Sequence, residues 1–270
     1  MYTQNLHTHG VLCDGKDEYE STVLRAIELG LTSIGFSGHS YTPYSDYSCM
    51  TPEKTAAYKK EIARLKEKYK DKIEVLCGLE FDMYSTDDMQ GYDYIIGTVH
   101  YLKKGDGYVD FDRAADRVQA VIDEHFGGDG MKYAKTYYEQ LAELPNYGKF
   151  DLVGHFDLIS KHCEKRKFFD ETSAEYKKYA LDALHTLAEK IKVFEVNTGA
   201  IARGYRTSPY PNPFILKEIK ALGCGITFGS DCHNNQFLTH HFDEAIELAK
   251  SCGFTEAQIL TKDGFKGVKI

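Results

Sequence analysis

The chain has 270 residues, 42% of them hydrophobic, and carries 33 Lys+Arg against 41 Asp+Glu for a net charge of −8. That balance excludes a general nucleic-acid binder, which needs a basic surface to neutralise phosphates, and no segment reaches the roughly 18 consecutive apolar residues of a membrane span. The opening MYTQNLHTHG has no basic or apolar signal region, and seven scattered cysteines without CxxC spacing fit a reduced cytoplasmic protein better than a disulfide framework.

In chain order, a β-rich run at 4–6 leads into a helix over 21–29, which Gly30 closes as a C-cap would. A strand at 33–36 precedes a helix over 52–69, with Thr51 as N-cap and Pro52 at the first helical position. Strands at 73–79 and 94–98 follow, with no room for a long helix between them. Helices over 113–124 and 131–144 flank the Gly-rich loop 127–130. Strand 152–154, helix 174–190, strand 192–196, helix 213–222, strand 225–228 and helix 242–252 complete the pattern. Seven strands separated mostly by helices predict a parallel α/β sheet, open or closed into a barrel, in one domain spanning 1–270.

The polar residues fall at one end of these strands. His7 and His9 follow the first, His39 the second, Glu80 the third, His100 the fourth and His155 the fifth. The sixth carries Glu195 and Asn197, and Asp231 and His233 follow the seventh. The C-terminal ends of parallel strands are where α/β folds build active sites. A lone His or strand-end Glu is commonly structural. His-x-His carries more, because alternation along an extended chain puts both imidazoles on one face. Asp231-Cys232-His233 repeats that geometry and turns Cys232 away. Two such pairs, with Glu80, His100 and His155, predict a metal centre. Its mixed imidazole and carboxylate donors suit Zn²⁺, Fe²⁺ or Mn²⁺ better than Mg²⁺ or Ca²⁺. His125, His162, His185, His240 and His241 lie in helices or loops and read as solvent-exposed or locally hydrogen-bonded, with His162 nearest the site.

At these residues the sequence resembles the polymerase and histidinol phosphatase (PHP) superfamily, and within it the histidinol-phosphate phosphatase branch. The matching pieces are LHTHG, FSGHS, GLEFD, IIGTVHYL, LVGHFDLI, FEVNTGAIARG and GSDCH, in that order from His7 to His233. The resemblance implies a distorted seven-stranded (β/α) barrel of TIM-barrel-like type holding two to three divalent transition-metal ions. One ion would be held by His7, His9, Glu80 and Asp231, and a second by a bridging Glu80 with His100 and His155. A third would use His39 and His233, with Asp14 where many relatives place a His. The implied reaction is hydrolysis of L-histidinol phosphate to L-histidinol and phosphate, a step of histidine biosynthesis.

An alkyl phosphate monoester hydrolyses very slowly unaided, so a nucleophile and charge neutralisation are needed. Metal ions supply both, lowering the pKa of bound water from about 15.7 to about 7. Glu80, with two oxygens, is the natural bridge between two ions. Asp231 or His233 could protonate the leaving group, and the sequence leaves that choice open. Arg203 and Arg166 are candidate phosphate grips, since a planar guanidinium matches a phosphate. Asn197 could orient substrate or water. Glu195 shares its face and could instead satisfy a buried Arg or Lys. The expected partner is a small phosphorylated substrate, with neither nucleic acid nor membrane. Competing readings are a phosphoesterase for another small ester or diester, an amidohydrolase, for which no strand end offers a bridging Lys, and a metal or phosphometabolite sensor without turnover.

Overall fold

The computed structural model describes residues 2–44 and 48–270. β1 (Gln4–Asn5) leads into α1 (Tyr19–Glu28), β2 (Ser33–Phe36), α2 (Pro52–Tyr69), β3 (Glu74–Asp82) and β4 (Tyr94–Thr98). A hairpin of β5 (Tyr101–Lys104) and β6 (Gly107–Asp110) precedes α3 (Ala115–Phe126) and α4 (Gly130–Ala142). Then come β7 (Leu152–Val153), α5 (Ala174–Lys190), β8 (Val193–Asn197) and the one-turn α6 (Gly199–Ala202). Next are α7 (Pro213–Ala221), β9 (Gly225–Gly229), α8 (Phe242–Ser251) and a closing hairpin of β10 (Glu256–Thr261) and β11 (Gly264–Lys269).

Seven strands pair in parallel in the order β1-β2-β3-β4-β7-β8-β9. The two edges meet at one parallel bridge, Thr8 with Cys232. There the His9 N–H donates to Cys232 O at 2.9 Å and the Cys232 N–H to His7 O at 3.3 Å. The expected parallel sheet is therefore a nearly closed barrel, sealed only at its C-terminal rim. Each bridging residue sits between the two members of a candidate ligand pair, so the closure draws His7/His9 against Asp231/His233.

Local chemistry explains the helices. The Thr51 side chain accepts the Lys54 N–H at 3.3 Å, capping α2, and Pro52 occupies the first turn where no N–H is needed. α2 buries Tyr58, Ile62, Leu65 and Tyr69, a row spaced three or four residues apart. Tyr58 then donates its hydroxyl to Phe36 O (2.7 Å) and Gly78 O (2.8 Å), tying the helix to β2 and β3. The barrel interior holds Leu6, Leu76, Tyr94, Ile96, Leu152 and Val193, with Leu260 of β10 against them. Tyr94 takes up space left by two glycines: a Cβ at Gly35 would lie 2.3 Å from its hydroxyl, and one at Gly78 2.1 Å from its ring. The closing hairpin plugs the N-terminal mouth. The Gln4 side-chain amide pairs with Leu260 like an added peptide, accepting its N–H at 2.7 Å and donating to its O at 2.9 Å.

Both hairpins differ from the sequence expectation, which had no strand at either place. Each turns on two residues, Gly105-Asp106 and Lys262-Asp263, with φ of 60° at Gly105 and 97° at Gly264. β3 also runs on to Asp82, so Glu80 lies within the strand and keeps the inward parity of Leu76 and Gly78. Among the described residues no helix is long and apolar enough to cross a membrane.

Candidate metal centre and its cavity

Glu80 sits at the centre of the C-terminal rim, 1% exposed. Five imidazoles surround its carboxylate. Oε2 lies 3.1 Å from His7 Nε2, 3.3 Å from His9 Nε2 and 3.0 Å from His39 Nδ1. Oε1 lies 3.3 Å from His100 Nε2 and 2.9 Å from His155 Nε2. Asp231 Oδ1 approaches His9 Nε2 (3.4 Å), His233 Nδ1 (3.6 Å) and His7 Nε2 (3.8 Å). Asp14 closes the open side, with Oδ1 3.2 Å from His233 Nε2 and 3.5 Å from His9 Nδ1, and Oδ2 3.7 Å from His39 Nε2. The barrel thus brings His7, His9, Asp14, His39, Glu80, His100, His155, Asp231 and His233 into one cluster.

Donor atoms in this cluster gather as His7/Glu80/His155, His7/His9/Asp231, His39/Glu80/His100 and His9/Cys13/Asp14/His39. His39 therefore stands as near to Glu80 and His100 as to Asp14. Cys13 is a member the sequence did not single out. Its Sγ accepts the His39 N–H at 3.1 Å, donates to Ser48 O at 3.1 Å and lies 3.7 Å from His9 Nδ1.

The cluster fits a cation. His7 Nε2, His9 Nε2 and Glu80 Oε2 are buried and face one another without a hydrogen bond, and buried polar atoms are costly unless something satisfies them. The electrostatics agree. Burial opposes a charge on His7, yet the carboxylates of Glu195, Glu80 and Asp231 push it up to about 10. Burial also opposes ionisation of Glu80, but His39 and His7 hold it well below the carboxylate range. Asp231 is held there against burial by Arg203 and His7. His39 goes the other way, with burial pushing it down to about 4 despite Glu80 and Asp14. Ionised carboxylates and the neutral His39 are donor forms that metal binding requires, and the negative charge that draws a proton onto His7 is the charge a bound cation would neutralise in its place.

Behind the cluster lie two carboxylates. Glu195 Oε1 is 2.7 Å from His7 Nδ1, while Oε2 accepts the His155 N–H at 2.9 Å and Asn197 Nδ2–H at 3.0 Å. Its partners are thus these groups and not the buried Arg or Lys that its position also allowed. Asp82 Oδ2 accepts the His100 N–H at 2.9 Å, and Oδ1 accepts the Tyr44 hydroxyl at 3.0 Å. Asp82 was missed, although its even spacing from Glu80 puts it on the same face. Asn197 is fully buried, donating to Glu195 and accepting the Gly199 N–H at 2.9 Å. Both ends of its amide are committed within the protein, so it is not the substrate-orienting group expected.

A cavity of roughly 630 Å³ opens over the cluster, its walls including Asp112, Lys161, Arg203, Tyr205 and Phe237. Arg203 NH2 donates to Asp231 Oδ2 at 2.7 Å and NH1 to Asp231 O at 2.9 Å. Arg166, the other expected phosphate grip, is not in this wall. It donates to Asp116 Oδ1 (2.8 Å) and Gln119 Oε1 (3.1 Å) on α3, which hold it at the outer surface. The cation its loop does deliver is Lys161, whose Nζ is 2.7 Å from Asp112 Oδ1. His162 donates to Arg113 O at 2.8 Å. His185 pairs with Glu218 and His241 with Glu244, His125 lies beside Glu124, and His240 packs on Phe237.

Several known proteins are similar to this chain. The chain is 28% identical to the histidinol-phosphatase of Lactococcus lactis, over 98% of this chain and 94% of that one. It is 25% identical to the histidinol-phosphatase of Bacillus subtilis, over 92% and 99%. A crystal structure from Listeria monocytogenes superposes with a TM-score of 0.77 at 20% identity, over 90% of this chain and 99% of that one. The histidinol phosphate phosphatase of Lactococcus lactis, solved with zinc, L-histidinol and phosphate, superposes at 0.71 with 23% identity, covering 98% of each chain. The PHP domain model matches residues 5–199, a span from β1 through β8 that includes His7, His9, His39, Glu80, His100 and His155, and the chain belongs to the PHP domain family.

Proposed function

We propose that this chain is a metal-dependent phosphomonoesterase that hydrolyses L-histidinol phosphate to L-histidinol and phosphate, a step of histidine biosynthesis. The observation that carries the reading is the buried cradle of five imidazoles around Glu80, opening on a cavity that Arg203 and Lys161 line. The curated relatives named histidinol-phosphatase, matched over nearly the whole chain, support the substrate. The zinc in the Lactococcus lactis structure supports zinc, and the donor set also suits iron or manganese. Seven free cysteines support a reducing, cytoplasmic setting.

In this reading His7, His9, Glu80 and Asp231 hold one ion, and Glu80, His100 and His155 a second. Bound there, the ions supply an activated water and neutralise charge on the phosphoryl oxygens. The protein does the rest. Arg203 grips Asp231 on one side and lends positive charge to the cavity on the other. Lys161, paired with Asp112, adds a second cation to the cavity wall. Of the two candidates for protonating the leaving alkoxide, Asp231 has both oxygens engaged, Oδ2 by Arg203 and Oδ1 by the imidazoles. The His233 side chain is engaged as well, with Nε2 3.2 Å from Asp14 Oδ1 and Nδ1 3.2 Å from Arg203 NH1, but at 24% exposure it is the more open to the cavity and is the proton donor this reading favours. That leaves His39 and Asp14 as the steady donors of a third position.

The test is phosphate release from L-histidinol phosphate before and after chelation, with Zn²⁺, Mn²⁺ or Fe²⁺ added back and other monoesters run alongside. Metal-restored turnover preferring L-histidinol phosphate is expected. Turnover of other esters alone would overturn the substrate. Bound metal without turnover of any ester would overturn the enzyme.

A further inference from the structure

Glu195 lies in the middle of β8, 1% exposed, and its two oxygens serve three donors. Oε1 is 2.7 Å from His7 Nδ1, and Oε2 takes the His155 N–H and the Asn197 amide. The neighbouring strand β9 makes room for it with glycine, since a Cβ at Gly229 would lie 1.8 Å from Oε1. Asn197 cannot turn away, because its own oxygen holds the Gly199 N–H.

A carboxylate at Nδ1 makes that nitrogen the donor, so the Nε2 lone pair of His7 points at Glu80 Oε2, 3.1 Å away. The same carboxylate anchors the backbone of His155, whose ring meets the other oxygen of Glu80. One His thus belongs to the first proposed ion position and the other to the second, and both hang from one side chain. We propose that Glu195 is a positioning residue that sets the His7 tautomer and braces His155, so that both ion positions depend on it together. This rests on the reading of the cluster as a metal centre.

Glu195→Gln tests it, because a glutamine offers one acceptor oxygen to three donors. In the full chain, chelator competition with Zn²⁺ should show affinity reduced about 10–100-fold, with both ions of the pair weakened in the same titration. Asn197→Ala removes one donor and leaves the His7 contact, so its loss should be smaller. NMR of zinc-loaded, [¹⁵N]histidine-labelled wild type should show His7 protonated at Nδ1 and not at Nε2, which reads the tautomer without any variant. A wild type that binds no zinc would remove the metal reading itself. Zinc-binding wild type with an unchanged Glu195→Gln, or with His7 protonated at Nε2, would overturn the role of Glu195 and leave the metal centre standing.

Discussion

Arg203 is the most informative single position to perturb. Its guanidinium spans two acceptors of one residue, Asp231 Oδ2 at 2.7 Å and Asp231 O at 2.9 Å, and the remaining edge lines the cavity. There is little slack, since a Cβ at Gly199 would sit 2.9 Å from both NH2 and Asp231 Oδ2. A hydrogen bond to a charged group contributes about 1.5–3 kcal/mol. The Arg203 side chain is 31% exposed, so the lower end applies, giving about 3 kcal/mol for the two bonds together. Arg203→Ala should then destabilise the fold by about 3 kcal/mol, and loss of one charged contact to the phosphate, about 1.5–3 kcal/mol, should lower kcat/KM about 10–100-fold at about 1.4 kcal/mol per factor of ten. Arg203→Lys should keep one bond, because an ammonium is a point charge without the fork, and lose about tenfold. The assay is steady-state turnover of L-histidinol phosphate at saturating Zn²⁺, with bound metal measured on the same samples. A rise in KM beside the fall in kcat would separate contact with the phosphate from orientation of Asp231 alone. Wild-type kcat/KM and metal content in Arg203→Ala would refute the reasoning.

Asp14→Ala should remove one ion per chain by elemental analysis while the other two remain, since Asp14 groups with His9, Cys13 and His39 beside His233 and not with Glu80. Unchanged stoichiometry would count against a third position there. Glu171 gives a pH prediction. Burial pushes its carboxyl up to about 7, above its unfolded value, so the stability it contributes is full below about pH 4.5 and is lost as pH rises through 7. The shift corresponds to at most about 3 kcal/mol. Urea unfolding of Glu171→Gln should therefore gain on wild type at pH 8 but not at pH 4, and parallel pH slopes would contradict this. Gly78→Ala would put a methyl 2.1 Å from the Tyr94 ring inside the barrel. Overpacking of this kind costs about 1–3 kcal/mol, read as a lowered Tm, and an unshifted Tm would mean the ring is free to move.

The clustered candidate ligands were legible in the sequence because two local properties suffice to find them: residue type, and position at the C-terminal end of a strand. Errors in strand bounds did little harm. The third strand was expected to stop at 79 and runs to Asp82, yet Glu80 faces inward either way, because parity along the strand decides its face. Arg166 fails for the converse reason. Its direction depends on which face of α3 lies opposite its loop, and there Asp116 and Gln119, one turn apart, capture it. Lys161, five residues earlier in the same loop, turns into the cavity instead. The two short hairpins carried Gly and Asp turn signals, but strands of four to six residues were overridden by the longer helical pattern around them.

The supporting carboxylates were harder still, because their partners are set by barrel order. Glu195 and His7 are 188 positions apart and belong to strands separated by β9, so their contact exists only once the barrel closes at Thr8 and Cys232. Strand parity says that 195 and 197 share a face and is silent about what stands opposite. A trace does remain in the chain. The strand beside β8 brings a glycine at the rim, Gly229 before Ser230-Asp231. Any side chain at Gly229 would collide with the Glu195 carboxylate. A rim glycine beside a strand that carries an acidic residue is what a buried carboxylate needs when it must lie flat behind the clustered imidazoles. In a parallel barrel whose ligands are already recognised, that pattern points to the outer brace from sequence alone.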